Sequence, residues 1–151
     1  MKQRDDWKRA EYLMYNYTKH LTLIELLSYE YQILNAAGDV KAQSYNEHYG
    51  RHTRDPVAEY NDKLDKIMTR IAKLKMKVQP VTSLINELTN PYALDPELYA
   101  SLHAVLIYIY FGHNTIGETA EYLKLSRSSI YRRKRHLVKM LISNDTQKHN
   151  M

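Results

Sequence analysis

The chain has 151 residues, of which 4 are glycine, 4 are proline and none is cysteine, and its formal net charge is +5. So few turn-forming residues argue against a β-sandwich or barrel and favour an all-α fold, while the missing thiols exclude disulfides and thiolate metal sites. Apolar runs such as Val105–Phe111 are far shorter than the ~20 residues that span a bilayer, and the charged N-terminus shows no secretory signal. We therefore expect a cytoplasmic protein that does not bind membranes.

The positive charge is concentrated at one end of the chain. Residues 1–111 contain 14 Lys/Arg and 14 Asp/Glu, whereas residues 112–151 contain 8 Lys/Arg and 3 Asp/Glu. The whole excess of +5 therefore belongs to the last quarter of the sequence. This asymmetry predicts a C-terminal region that binds a polyanion, attached to an electrically neutral body.

Residues 5–36 have the apolar spacing of an amphipathic helix. A break near Thr18–His20 would divide this stretch into two helices, and the pattern leaves both readings open. Asn35–Gly38 predicts the helix end, because glycine adopts the left-handed conformation that often follows a helix. Residues 39–54 show no apolar period, and we expect a mobile loop there.

A second long helix is predicted to begin at Asp55-Pro56, since aspartate is a good N-cap and proline is tolerated in the first helical turn. Apolar residues then recur with alternating spacings of three and four, the pattern of a coiled-coil seam. They are Val57, Tyr60, Leu64, Ile67, Ile71, Leu74 and Val78. The seam pairs within the chain, between two copies, or both. Pro80 predicts a kink or a restart. Residues 1–89 are thus read as a helical arm and dimerisation region.

Residues 90–111 begin a second region. Asn90-Pro91 breaks the chain, and Asp95-Pro96 repeats the pattern of a capped helix start. The following helix is apolar on nearly all sides, as is typical of a central buried helix, and Gly112 is predicted to end it. A strand at Val105–Tyr110 is the alternative.

Residues 115–142 have the pattern of a helix-turn-helix. Thr115 and Glu118 form a capping box, in which each side chain binds the other residue's backbone N–H. Lys124 and Leu125 form the turn, and Ser126 caps a second helix that extends to about Ile142. Lys124 occupies the place where a turn glycine is usual, which also fits a longer turn. We define 90–143 as the helix-turn-helix domain and 144–151 as a tail.

The second helix of this motif is strongly basic and has no acidic residue before Asp145. Such a helix fits the major groove, where arginine reads guanine and where Ser or Tyr contacts bases or phosphates. Residues in its first turns are expected to face bases, namely Arg127, Ser128, Tyr131 and Arg132. Later residues are expected to contact phosphates, namely Arg133, Lys134, Arg135 and Lys139. Ser129 completes the predicted DNA-binding set.

With these motifs, the chain resembles the small phage late-transcription regulators of the RinA/ArpU type. The resemblance covers Glu11–Tyr17, the segment Asp55–Glu59, the heptad helix and the terminal helix-turn-helix. This last part looks like the sigma-factor domain that reads the −35 promoter element. Membership would imply activation of phage late genes in a bacterial host, with host RNA polymerase as a partner.

The sequence thus predicts a sequence-specific transcription regulator that binds double-stranded DNA as a homodimer. The alternative is a helical adaptor or packaging protein that binds nucleic acid without reading its sequence. An enzyme is not expected, because the chain lacks cysteine, a glycine-rich phosphate loop and paired carboxylates in an apolar frame. His48 and His52 are four residues apart but have no third ligand nearby, so we expect neither a metal nor a cofactor.

Overall fold

A computed structural model of the chain describes residues 2–47 and 56–149, and within these ranges it contains helices and no strand. The six α-helices are α1 (Lys2–Tyr15), α2 (Tyr17–Glu47), α3 (Pro56–Leu88), α4 (Pro96–Val105), α5 (Ile116–Leu123) and α6 (Arg127–His149). A π-helical segment, Leu106–Phe111, continues α4. None of the described helices combines the length and the hydropathy needed to cross a bilayer. The predicted all-α class is confirmed.

The chain forms two compact units that do not follow the predicted boundary after residue 89. One unit comprises residues 20–76. The other combines the first 19 residues with everything from residue 77 onward. The two ends of the sequence therefore share one core, and α1 is part of the basic C-terminal unit.

The unit of residues 20–76 is held together by side chains of α2 and α3. Leu27 of α2 packs with Ile67 and Ile71 of α3, and partly buried apolar residues surround this cluster. The Tyr60 hydroxyl donates a hydrogen bond to the Leu34 carbonyl. The heptad seam predicted on α3 is therefore used within the chain.

Two predictions for the N-terminal half are wrong in their boundaries. Helix α2 continues through Gly38 to Glu47, where a helix end and a loop were expected. A single glycine costs about 1 kcal/mol relative to alanine, but it leaves the helical hydrogen bonds intact. The break near Thr18–His20 lies earlier, at Asn16, whose side-chain amide donates to the Tyr12 carbonyl at 2.9 Å. The rest of the predicted loop, with His48, His52 and the Asp55 cap, lies outside the described residues.

Helix α3 begins at Pro56 as predicted and passes through Pro80 without restarting. Pro80 is buried, and Val81 and Leu84 beyond it are fully buried. Apolar packing on both sides thus stabilises the helix across the position where proline removes a hydrogen bond.

The unit formed by the two chain ends is built around α6. Helices α1, α4 and α5 all pack against it. Its largest fully buried side chains come from five segments of the chain and include Met14, Leu84, Leu102, Tyr110, Ile130, Leu137 and Leu141. Burial of so many large apolar groups fixes the position of α6, because each contributes about 1.5–3 kcal/mol.

The strand considered at Val105–Tyr110 is wrong, because this segment is helical. The Gly112 N–H donates to the Ile107 carbonyl, five residues back, at 2.8 Å, which is the hydrogen bond of a π-helix. Gly112 ends the segment as predicted. A β-carbon there would lie 2.9 Å from the Tyr108 carbonyl oxygen, so the close approach requires glycine.

The start signals predicted for the C-terminal half are confirmed. Asp95 accepts a hydrogen bond from the Leu98 N–H at 3.1 Å. Thr115 and Glu118 form the reciprocal capping box at 3.1 and 3.4 Å. Between α5 and α6 the turn is short, because Lys124 itself adopts the left-handed conformation, with φ 56° and ψ 44°.

Lys124 provides a test of this turn. A β-carbon in the left-handed region costs roughly 1–2 kcal/mol, and glycine avoids this cost at the expense of a more flexible unfolded chain. We expect Lys124→Gly to be more stable than Lys124→Ala by about 1 kcal/mol in urea unfolding. At Glu121, an exposed position inside α5, the order should reverse, with Ala more stable than Gly by about 1 kcal/mol. An alanine variant at Lys124 as stable as the glycine variant would contradict the assigned turn.

Candidate nucleic-acid interface

Helix α6 carries most of the residues predicted to bind DNA, and local and core contacts fix its orientation. Ser126 caps it by accepting the Ser129 N–H at 3.2 Å. The four residues of its predicted inner face are at most 1% exposed, and they are Ile130, Leu137, Val138 and Leu141. The rotation of the helix is therefore set, and so is the identity of the residues on its outer side.

Five polar or basic residues form one exposed face of α6, which we call the outer stripe. Their spacing of i, i+3, i+4, i+7 and i+11 places them on one side of the helix. The outer stripe consists of Ser128, Tyr131, Arg132, Arg135 and Lys139, and all five side chains are exposed. The structure therefore brings together three of the four residues predicted to face bases with two of the four predicted to contact phosphates, Arg135 and Lys139.

Arg127 is also exposed, at the start of α6, and lies against Gly117 in the first turn of α5. A β-carbon on Gly117 would be 3.1 Å from the Arg127 Nη2 atom. The missing side chain leaves room for the guanidinium beside the N-terminus of α5. Arg127 thus lies at the edge of the outer stripe, one helical turn before Tyr131.

Two predicted DNA-binding residues are instead engaged within the protein. The half-buried Arg133 donates from Nε to the Ser101 hydroxyl at 2.6 Å and from Nη1 to the Ser129 carbonyl at 3.3 Å. The Ser129 hydroxyl receives hydrogen bonds from Ser126 at 2.9 Å and from Arg132 at 3.3 Å. Arg133 links α6 to α4, and Ser129 supports the helix start.

Lys134 likewise points into the protein, toward the Glu11 carboxylate of α1. The distance from its Nζ atom to Glu11 Oε2 is 3.7 Å, and the same nitrogen lies 5.6 Å from the Tyr110 ring centre. Glu11 also accepts hydrogen bonds from Trp7 Nε1 at 3.0 Å and from the Tyr110 hydroxyl at 3.1 Å. The carboxylate therefore connects α1, the π-helical segment and α6.

This environment shifts the ionisation of two tyrosines. Burial, and secondarily the charge and hydrogen bond of Glu11, raise the pKa of Tyr110 far above its ordinary value of 10.0. The pKa of Tyr15 is raised by burial and, to a smaller extent, by the negative charge of Glu11. Tyr110 therefore keeps its proton, and its hydrogen bond to Glu11, at pH values where a solvent-exposed tyrosine ionises.

A groove of about 540 Å³ runs between α1 and the outer stripe. It is lined by Trp7 and Glu11 on α1 and by Ser128, Tyr131, Arg132, Lys134 and Arg135 on α6. Sequence reasoning did not assign Trp7 or Glu11 to the interface. No sequence signal could have found them, because the partners of Glu11 include Tyr110, 99 residues away.

The C-terminal half of α6 is also fastened to the unit. Asp145 pairs with Arg9 of α1 at 3.5 Å, and the Asn144 amide donates to Glu87 at 3.3 Å. Residues 144–149 are helical, although a tail was predicted from 144 onward. The acidic Asp145 is directed to α1, and the outer stripe itself contains no carboxylate.

The raised pKa of Tyr110 gives a pH-dependence with a definite sign. Above pH 10 this tyrosine ionises in the unfolded chain but not in the folded one, so the unfolded state binds fewer protons and stability falls as pH rises. Tyr110→Phe removes this loss. The stability advantage of wild type over Tyr110→Phe should therefore shrink above pH 10, by up to about 1.4 kcal/mol per pH unit.

Urea unfolding between pH 8 and 11 measures this difference. Tyr122→Phe is the matched control, because Tyr122 is 68% exposed. Its stability difference from wild type should not change over the same range. If the stability difference between wild type and Tyr110→Phe did not change with pH, that result would contradict the raised pKa of Tyr110.

Comparison with known proteins identifies no relative of this chain. No protein-family model, no curated protein and no solved structure matches this chain. Membership of the RinA/ArpU type therefore stays a prediction from the sequence.

Proposed function

We propose that the protein binds duplex DNA and that α5 and α6 act as a helix-turn-helix, with α6 as the recognition helix. The observation that carries this proposal is the outer stripe, a continuous face of exposed Ser, Tyr, Arg and Lys side chains without a carboxylate. A recognition helix needs such a face, because it must offer donors to base edges and positive charge to phosphates at once.

Within this proposal, residues near the start of the outer stripe read bases. Arg132 and Arg135 supply the forked donors that match the guanine edge, and Ser128 and Tyr131 lie beside them. Arg127 and Lys139, at the two ends of the exposed surface, bind phosphates. Arg133 and Lys134, first assigned to phosphates, serve to hold α6 in place, as their contacts with Ser101 and Glu11 support.

A role in transcription is the second part of the proposal. Reading a DNA site from a fixed recognition helix suits a regulator that is targeted to particular promoters. Activation of phage late genes and contact with RNA polymerase rest on the sequence resemblance alone. The alternative is an adaptor that binds nucleic acid without sequence preference, and it would use the same positive charge.

The predicted homodimer stays a prediction, and the middle of the seam proposed on α3 is already used within the chain. Ile67 and Ile71 of that seam are already buried against Leu27. On α2, Leu26, Tyr29 and Ile33 remain more than half exposed at spacings of three and four residues. This second apolar stripe is a surface that a partner helix could cover.

Charge removal tests the recognition surface. Binding of a fluorescently labelled random-sequence duplex is measured by anisotropy at several salt concentrations. On such DNA the outer-stripe arginines contact phosphates. The slope of log affinity against log salt is negative, and Arg132→Ala and Arg135→Ala should each make it shallower by about 1. The double variant should make the slope shallower by about 2 and weaken binding at least tenfold at low salt.

Arg70→Ala is the matched control, because Arg70 is an exposed arginine in the other unit and its removal costs the same net charge. Its affinity and slope should equal those of wild type. Thermal melts establish that all variants are folded. If Arg70→Ala lost as much DNA affinity as Arg132→Ala, binding would depend on the overall charge of the protein. That result would contradict the proposed surface.

A further inference from the structure

The groove between α1 and the outer stripe adds an aromatic surface next to the basic one. Trp7 is half-buried in one wall, and its indole nitrogen is held by Glu11 at 3.0 Å. Tyr131 in the opposite wall is 52% exposed. Two flat rings therefore border a space that is open along the recognition helix.

The single carboxylate in the groove is already neutralised. Glu11 accepts two hydrogen bonds, from Trp7 and Tyr110, and pairs with Lys134 at 3.7 Å. A carboxylate with these partners repels an incoming anion weakly, because its charge is offset at short range. The groove can therefore accept a negatively charged ligand.

Positive charge flanks the groove on both sides. Arg132 and Arg135 line it on α6. On α1, Arg4 and Lys8 are exposed, and they share a helix face with Trp7 and Glu11, since the four residues have the spacing i, i+3, i+4 and i+7. Cations thus line the α6 wall of the groove, and two exposed cations lie on the same face of α1 as Trp7.

We propose that this groove binds one sugar-phosphate strand of the DNA duplex beside the bases that α6 reads. A nucleic-acid strand alternates apolar sugar and base surfaces with phosphates, which matches rings set between cations. Trp7 packs against a deoxyribose, and Arg4 and Lys8 bind the adjoining phosphates. The inference rests on the proposed function and extends the DNA surface to α1, at the opposite end of the chain.

Trp7 is the single tryptophan among fourteen tyrosines, so selectively excited tryptophan emission reports on this groove alone. Full-length protein is titrated with an unlabelled random-sequence duplex while tryptophan emission and acrylamide quenching are followed. Duplex binding is measured in parallel by anisotropy. We expect the emission to change and the acrylamide quenching constant to fall at least twofold, both saturating at the concentration where anisotropy saturates.

The outcomes separate this inference from the proposed function. Saturated anisotropy with unchanged emission and quenching would overturn the groove assignment and leave DNA binding by α6 standing. No anisotropy change at low salt would overturn the proposed function, and the groove inference with it. Equal protection of Trp7 by polyglutamate, an acidic polypeptide without bases or sugars, would also overturn the assignment to a nucleic-acid strand.

Charge variants provide a second readout. Arg4→Ala combined with Lys8→Ala should make the negative slope of log affinity against log salt shallower by about 2. Lys63→Ala combined with Lys73→Ala removes two exposed cations from the unit of residues 20–76 and should leave the slope unchanged. Equal slopes for the two double variants would contradict phosphate contacts by α1.

Discussion

The contact between the Glu11 carboxylate and its three donors is the polar interaction on which the groove between α1 and α6 depends. It joins α1 to the π-helical segment through Tyr110 and to α6 through Lys134. A partly buried carboxylate is stable only when its lone pairs and its charge are satisfied, and here Trp7, Tyr110 and Lys134 do so together. Together with the buried Leu13 and Met14, this contact holds α1 beside the outer stripe.

The Glu11 contact, together with a hydrogen bond to Ser101 on α4, explains why α6 can be so basic and still pack within the protein. Arg132, Arg133, Lys134 and Arg135 are consecutive, but the helical turn sends them in different directions. Arg133 and Lys134 meet partners on α4 and α1, whereas Arg132 and Arg135 face outward. One short run of charge thus provides both the attachment of the helix and the surface that we propose for DNA.

Features set by neighbours within about four residues could be predicted from the sequence. The caps at Asp95 and Thr115, the glycine end at Gly112 and the inner face of α6 are of this kind, because each depends on local geometry. The division of labour among the basic residues could not be predicted. It depends on Ser101 and Glu11, which are distant in sequence and belong to no motif.

The errors in the N-terminal half have a related cause. Gly38 was read as a helix end because glycine is common there, but its cost is about 1 kcal/mol and the helix continues. Pro80 is tolerated because Val81 and Leu84 are fully buried in the same helix. A glycine or proline thus makes a helix less stable at its position, and the packing of the surrounding residues decides whether the helix continues.

The central claim is that the outer stripe of α6 reads DNA sequence. The most direct measurement is a selection from a random duplex pool at near-physiological salt, using the full-length protein and, in parallel, the Arg132→Ala variant. We expect an enriched motif with wild type and relaxed preference at one or two of its positions with the variant. No enrichment with wild type, together with binding that disappears as salt rises, would contradict sequence reading and leave a non-specific basic surface.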